Sequence, residues 1–325
     1  MRARGAGYPA STLRVVLDLP RSARLAAWGT AVLADAADPS AAIRAVTGDD
    51  EPHSVVADVQ DDEAGDPAEP ERAPWDDAVE AVPAAVPSLP PGAGLVDLLA
   101  ALVNAGATGL RLVLPAAGDV LGLPGPPWFN AVAVEAGECV LVQFGDGIGD
   151  GNGDDAIGDG SVNGGGNGGG SLALVPQVTG FGSETEPGAM VTWHLYAVRA
   201  PRVTDLGSVA EADQELRQAL EAATRELARL DVARWRDDAA ARLATIRDGG
   251  VEPGLLPPTV PPRCLRVLAT AARVRAIVEL AGEDDGGSVT GWEAGARTEA
   301  LRTLDRVSRR AVVAAVNAPL ERQPR

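Results

Sequence analysis

Two segments that cannot build a packed core divide this 325-residue chain and constrain its fold more than any motif. Residues 49–91 carry 13 acidic residues, one arginine and eight prolines, and residues 145–171 contain 13 glycines and five aspartates. Neither composition buries enough apolar surface to offset the backbone entropy that ordering costs. We therefore predict an extended acidic linker for the first segment and a disordered hairpin insertion for the second.

The rest of the sequence predicts an α+β fold: a small, mainly antiparallel sheet with N-terminal helices, followed by an all-α helical domain. The predicted organisation is an N-terminal helical segment (1–48) that packs on the central part, the acidic linker (49–91), an α+β domain (92–204) containing the Gly/Asp-rich insertion (145–171), a C-terminal helical domain (205–317) and a tail (318–325).

Capping patterns mark the expected helix starts. Asp18 and Asp38 each precede a proline by one or two residues, so a side-chain acceptor comes before a first-turn proline. Ser208 and Glu211 have the spacing of a capping box, and apolar residues then recur at intervals of three and four as far as residue 230. Apolar periodicity predicts further helices near residues 95–103, 130–136, 233–247, 265–280 and 291–311.

Short apolar runs predict strands at Leu110–Leu114, Cys139–Phe144, Leu172–Pro176 and Met190–Val198. At the start of the acidic linker, a short strand at His53–Val56 is an alternative to an unordered chain. The run Met190–Val198 is the clearest because its residues alternate in character. Trp193 and its apolar neighbours share one face, whereas Thr192, His194 and Tyr196 share the opposite, more polar face.

Composition excludes several chemistries. All 28 basic residues are arginine, so lysine-dependent phosphate binding and Schiff-base catalysis are impossible. The chain has two histidines, His53 and His194, and two widely separated cysteines, Cys139 and Cys264. This inventory provides neither a Cys/His zinc cage nor a disulfide framework. We expect no cofactor and favour a protein without enzymatic activity.

The charge balance limits the partners. The net charge is −18, and almost all of the excess acid lies before residue 205. A nucleic-acid backbone or an anionic membrane requires a basic face, so we expect neither as a partner. A basic partner protein is compatible with this charge, and the oligomeric state stays open. No apolar run is long enough to span a membrane and no secretory signal is visible, so we expect a cytoplasmic protein.

One fragment resembles a calcium loop. Asp150, Asn152 and Asp154 occupy the first, third and fifth positions of such a loop, where side-chain oxygens converge on the ion. However, Asp155 stands where the loop requires glycine, and Ser161 stands where it requires glutamate. These departures favour a flexible turn over a metal site.

A second candidate site combines the Gly/Pro-rich loop Gly118–Asn130 with the polar face of the last strand. Loops held by a sheet often bind ligands, and this loop carries two adjacent aromatic residues, Trp128 and Phe129. The candidate ligand-binding residues are Asp119, Trp128, Asn130, Thr192, His194 and Tyr196, with Asp119 or His194 as the acid or base and Trp128 stacking on the ligand. We favour a different role for Trp128 and Phe129, in which both rings fill the end of the core.

Three blocks, Val46–His53, Leu121–Asn130 and Val191–Val198, resemble segments of uncharacterised proteins from high-GC actinobacteria. The resemblance implies no activity. Two hypotheses follow from the residues. The first is a non-enzymatic protein-binding or regulatory module, and the alternative is a small-molecule enzyme or sensor with its site at the loop and the Thr192, His194 and Tyr196 face.

Overall fold

A computed structural model gives the fold of most of the chain. It describes residues 19–57, 87–144, 170–183, 187–199, 207–229, 254–282 and 291–318, with short pieces at 245–246, 250 and 252. Most of the predicted linker, the calcium-like residues, the predicted helix before residue 245 and the end of the tail lie outside this described part.

The described residues form seven helices and a five-stranded sheet, which confirms the predicted α+β fold with N-terminal helices. The helices are α1 (Arg21–Leu33), α2 (Pro39–Thr47), α3 (Leu95–Asn104), α4 (Pro127–Ala136), α5 (Val209–Arg229), α6 (Pro262–Gly282) and α7 (Gly291–Asn317). The strands are β1 (Ser54–Ala57), β2 (Ala107–Val113), β3 (Cys139–Phe144), β4 (Gly170–Gly182) and β5 (Pro187–Arg199).

The strands are arranged in the order β1-β5-β4-β3-β2. All neighbours are antiparallel except β1, which runs parallel to β5 with Val55 opposite Trp193. β4 and β5 form a long hairpin, whereas β3 pairs with β4 only between Leu172 and Leu174. The outer half of the hairpin therefore extends beyond β3.

The main core lies on one side of the sheet, where Leu112, Leu174 and Trp193 are fully buried beneath the helices. α1 and α7 pack on β2, and α5 and α6 pack against α7. Residues from the predicted α+β domain and from the predicted helical domain share this one cluster. The helical part therefore packs on the sheet, while the exact domain boundaries stay a prediction.

Local capping accounts for two helix starts. Asp38 accepts from the amide of Ala41 at 2.9 Å, and Ser208 and Glu211 form the predicted capping box with bonds of 3.2 and 2.7 Å. At α1 the N-cap residue is Pro20 rather than the expected Asp18, and the N-cap residue forms no side-chain hydrogen bond to the helix. Asp18, the expected cap, lies outside the described residues.

Several predicted elements were too short, and the differences at β4 and α4 bear on the candidate site. β4 continues through Pro176 to Gly182, because beyond Leu174 it has a neighbour on one side only, and such a strand accommodates proline. α4 begins at Pro127 rather than at Asn130, because proline is well suited to the first helical position. Trp128 and Phe129 consequently belong to a helix and not to a loop.

Candidate functional site

The candidate site lies on the side of the sheet opposite the main core. α4 covers part of this side with Phe129 and Ala133, which pack on Leu141, Ala173 and neighbouring apolar side chains. The rest of this side, on β1, β5 and the outer part of β4, carries no helix in the described structure. We call this area, which no described helix covers, the open face and define it by ten positions: Ser54, Val56, Gln177, Thr179, Phe181, Gly188, Met190, Thr192, His194 and Tyr196.

Aromatic rings connect α4 to the open face. Tyr196 makes edge contacts with Trp128 at 5.8 Å and with Phe129 at 5.7 Å between ring centroids. On its other side, Tyr196 lies 6.3 Å from the ring of His194, which is nearly parallel to it. Phe129 is fully buried while Trp128 is exposed, so Phe129 belongs to the core and Trp128 forms the border of the open face.

Polar side chains lie between the apolar ones. His194 Nε2 is 3.1 Å from the amide oxygen of Gln177 on the neighbouring strand. The hydroxyls of Ser54 and Thr192 are also 3.1 Å apart and join β1 to β5 on this face. Such cross-strand contacts fix the side chains on a rigid surface.

The outer end of the hairpin adds apolar area. Phe181 lies directly over Gly188 of the opposite strand, where a Cβ atom would come within 2.6 Å of the phenyl ring. Glycine is therefore required for this contact. Phe181, Met190 and Val56 are all exposed large apolar side chains on the open face.

None of the ten positions of the open face is Asp, Glu, Lys or Arg, although these residues make up 23% of the chain. The face instead combines aromatic, methionine and valine side chains with uncharged hydrogen-bonding groups. Depletion of charge together with enrichment in Tyr, Phe and Met is the composition typical of the centre of a protein–protein interface.

The edge of the sheet at β2 is closed by side chains from the helices. Thr30 of α1 exchanges two hydrogen bonds with the backbone of Leu110, at 2.9 and 3.1 Å. The side-chain amide of Asn317, at the end of α7, accepts from the N–H of Leu112 at 2.9 Å and donates to its carbonyl at 3.0 Å. Arg309 donates to the carbonyl of Leu114 at 2.7 Å. These contacts occupy groups that an added strand would need.

The opposite edge is also occupied. The amide of Val55 in β1 donates to the carbonyl of Ala93 at 2.8 Å, and Ser54 forms a bridge with Gly94. Within the described residues, both edges of the sheet thus have partners, and the open face is the part of the sheet left exposed.

The structure brings four of the six candidate ligand-binding residues together. Trp128, Thr192, His194 and Tyr196 lie on or beside the open face. Asp119 instead forms ion pairs with Arg309 at 3.3 Å and with Arg310 at 3.5 Å, which attach its loop to α7.

Asn130, the remaining candidate, accepts a hydrogen bond from the amide of Gly125 at 3.1 Å and so holds its own loop. The calcium-like residues Asp150, Asn152 and Asp154 lie outside the described part of the chain. Among the described residues, no group of three or more His, Cys, Asp or Glu side chains could hold a metal ion.

A buried polar network that the sequence did not reveal supports the strands from the core side. Trp193 Nε1 donates to His53 Nδ1 at 3.1 Å, which places the imidazole proton on Nε2, 3.3 Å from Asp50. Arg21 binds the same carboxylate with two bonds of 2.6 and 2.7 Å.

Burial lowers the pKa of His53, and Arg21 and Arg24 act in the same direction against the opposing effect of Asp50. Burial alone would raise the pKa of Asp50, but the bonds and charge of Arg21 hold it below its usual value. His53 is thus a neutral, inaccessible imidazole with both nitrogens engaged, which excludes it as a general base.

The two thiols have no access to substrate because both are buried. Burial also raises the pKa of Cys139, so its side chain stays protonated, and a protonated thiol is a poor nucleophile. No helix among the described residues is both long enough and apolar enough to cross a membrane.

Two family models match the chain. Residues 22–149 match the N-terminal domain of the Rv1486c-like proteins, and residues 210–313 match their C-terminal domain. The chain is similar to Rv1486c-like proteins along both segments. No curated protein and no solved structure matches it. Strands β4 and β5, which carry most of the open face, lie between the two matched ranges.

Proposed function

We propose that the protein is a non-enzymatic binding protein that docks a partner protein on the open face. The observation that carries this proposal is that none of the ten positions of that face is Asp, Glu, Lys or Arg in a chain of net charge −18. An exposed face that combines aromatic and aliphatic side chains with uncharged polar groups is typical of a protein interaction site.

The composition of the face indicates the chemistry of the partner. Phe181, Met190 and Tyr196 would contact apolar side chains, while Gln177 and Thr192 offer uncharged hydrogen-bonding groups. Because the rest of the protein is acidic, a partner with an apolar centre and basic residues around it would be complementary.

The closed edges favour a face contact over the addition of a strand. Thr30 and Asn317 occupy backbone groups of β2, and residues 93–94 occupy those of β1. Burial removes His53, one of the two imidazoles, and both thiols from solvent. These features support a binding role rather than a catalytic one.

The test places a photo-crosslinking amino acid at position 190 of the full chain, expressed in its native host. The matched control carries the same group at position 103 on α3, because Met190 and Val103 are each 52% exposed. We expect one abundant crosslinked protein at position 190 and none at position 103. Met190→Asp should weaken copurification of that protein strongly, whereas Val103→Asp should not.

Equal crosslinking at both positions, or none at position 190, would contradict the proposal. Circular dichroism of each variant checks that the fold is retained. This control is informative because neither side chain is part of the core, so both substitutions should leave the thermal unfolding midpoint nearly unchanged.

A small-molecule site is a second candidate, favoured by the ring group of Trp128, Tyr196 and His194. A flat, uncharged ligand could stack on Trp128 and bond to His194. In this case a metabolite would raise the unfolding midpoint of the wild type but not that of Trp128→Ala. A variant that loses folding as well would place Trp128 in the core instead.

A further inference from the structure

Arg24 of α1 is a buried cation for which the described part of the chain provides no counter-ion. It is 6% exposed, and its Nε atom has no hydrogen-bond partner. None of the ion pairs among the described residues involves its guanidinium. Arginine stays charged at every pH that a folded protein experiences, so it cannot avoid this cost by losing a proton.

The acidic groups nearest in sequence do not neutralise it. Asp50 is held by two bonds from Arg21 and by His53, which leaves its oxygens already engaged. Asp49 and Glu51 are exposed and form no ion pair with Arg24. Arg21 and Arg24 lie one turn apart on α1. Glu138, the other carboxylate near the start of this helix, accepts from the amide of Ser22 and forms no ion pair with Arg24 in the described structure.

The guanidinium lies next to exposed backbone. Gly48 ends α2 with a φ of +58°, and a Cβ atom at this position would come within 2.9 Å of Arg24 Nη1. Glycine therefore keeps the approach to Nη1 free of side-chain atoms. Because Gly48 itself is exposed, a small ligand can reach this end of the guanidinium from solvent.

We propose that Arg24 binds an oxyanion beside Gly48. A guanidinium offers paired N–H donors whose spacing matches two oxygens of a phosphate or a carboxylate group. The site would neutralise the charge of Arg24 and would stabilise the folded chain in proportion to its occupancy. This proposal is independent of the open face.

The test measures thermal unfolding of the full chain in a phosphate-free buffer at physiological ionic strength, where salt screens the exposed acidic groups. Inorganic phosphate is then added, with potassium chloride at matched ionic strength as the control. At a phosphate concentration ten times its Kd, the folding equilibrium constant should rise about elevenfold. Potassium formate in a parallel titration distinguishes a carboxylate site from a phosphate site.

Three variants locate the effect. Arg24→Met should abolish the response to phosphate, and without phosphate it should be at least as stable as the wild type because it removes an uncompensated charge. Gly48→Ala should also abolish the response, since its methyl group would occupy the approach to Nη1. Arg44→Met, which removes an exposed arginine from α2, should keep the full response.

The proposal fails if neither phosphate nor formate stabilises the wild type more than potassium chloride does. It fails equally if Arg24→Met retains the response, or if Arg44→Met loses it. Should Arg24→Met not fold, calorimetric titration of the folded wild type and of Gly48→Ala with both anions gives the same decision.

Discussion

Asn317 is expected to be one of the most important polar residues for stability, although it lies at the very end of the last helix. It is 1% exposed, and its amide group bonds to both the N–H and the carbonyl of Leu112. Asn317→Ala removes both partners and leaves two backbone groups of β2 buried without hydrogen bonds.

The size of the effect follows from those two groups. A buried backbone group that loses its partner costs about 1–3 kcal/mol, so the loss of both partners should lower the free energy of unfolding by about 2–6 kcal/mol. This is a large share of the roughly 5–15 kcal/mol that stabilises a typical domain. Urea unfolding measures the difference directly: if the dependence of the free energy of unfolding on urea has the same slope in both proteins, the shift in midpoint gives the change in stability.

Thr298→Ala is the matched control because Thr298 lies on the same helix and also bonds to a backbone carbonyl, but at an exposed site. Its effect should stay within about 0.5 kcal/mol. If Asn317→Ala costs less than about 1 kcal/mol, water must reach the edge of β2, and the argument that α7 seals this edge would be refuted.

Three further predictions concern charged groups and use the same unfolding assay. Because the pKa of His53 is lowered by burial, its contribution to stability is present above its ordinary value of 6.5 and is lost as the pH falls; this loss should disappear in His53→Gln. Burial raises the pKa of Glu138, so the contribution of this group to stability is present below its ordinary pKa of 4.5 and is lost as the pH rises. Glu138→Gln should therefore be more stable than the wild type at neutral pH but not in acid. Asp119→Ala should cost about 1–3 kcal/mol because it takes a partner from the buried Arg309; a cost no larger than that of Asp213→Ala, which breaks an exposed pair, would contradict this.

Local structure could be predicted where neighbouring residues determine it. Ser208 and Glu211 cap α5 because both partners lie within one turn, and no other part of the fold is needed. The alternation along β5 likewise placed Thr192 and His194 on one face and Trp193 on the other, because strand geometry alone fixes that pattern.

Contacts between distant segments could not be predicted in this way. The amide of Ser22 at the start of α1 donates to Glu138, 116 positions away, at 2.8 Å. Asn317 bonds to a strand 205 positions earlier. Neither residue has a local pattern that indicates its partner, because the pairing depends on how the helices pack on the sheet.

The candidate site was predictable in part for the same reason. The alternation along β5 predicted that Tyr196 and His194 share a face. Trp128 was expected near that face because its segment follows β2. Asp119 and Asn130 lie away from the open face. Asn130 holds its own loop, and the two arginines that bind Asp119 come from α7, a helix whose position the sequence did not define. Gln177 was missed because β4 was expected to end at Pro176.

Binding and folding should be separable on the open face, because β5 has opposite roles on its two sides. Trp193 is fully buried and bonds to His53, so its replacement would damage the core. Tyr196 contacts the buried Phe129, so a change there affects both functions. Met190 packs against neither, and half of its surface is in solvent. Loss of a partner in Met190→Asp with an unchanged unfolding midpoint would therefore report on docking alone, whereas the same loss in Tyr196→Ala would not.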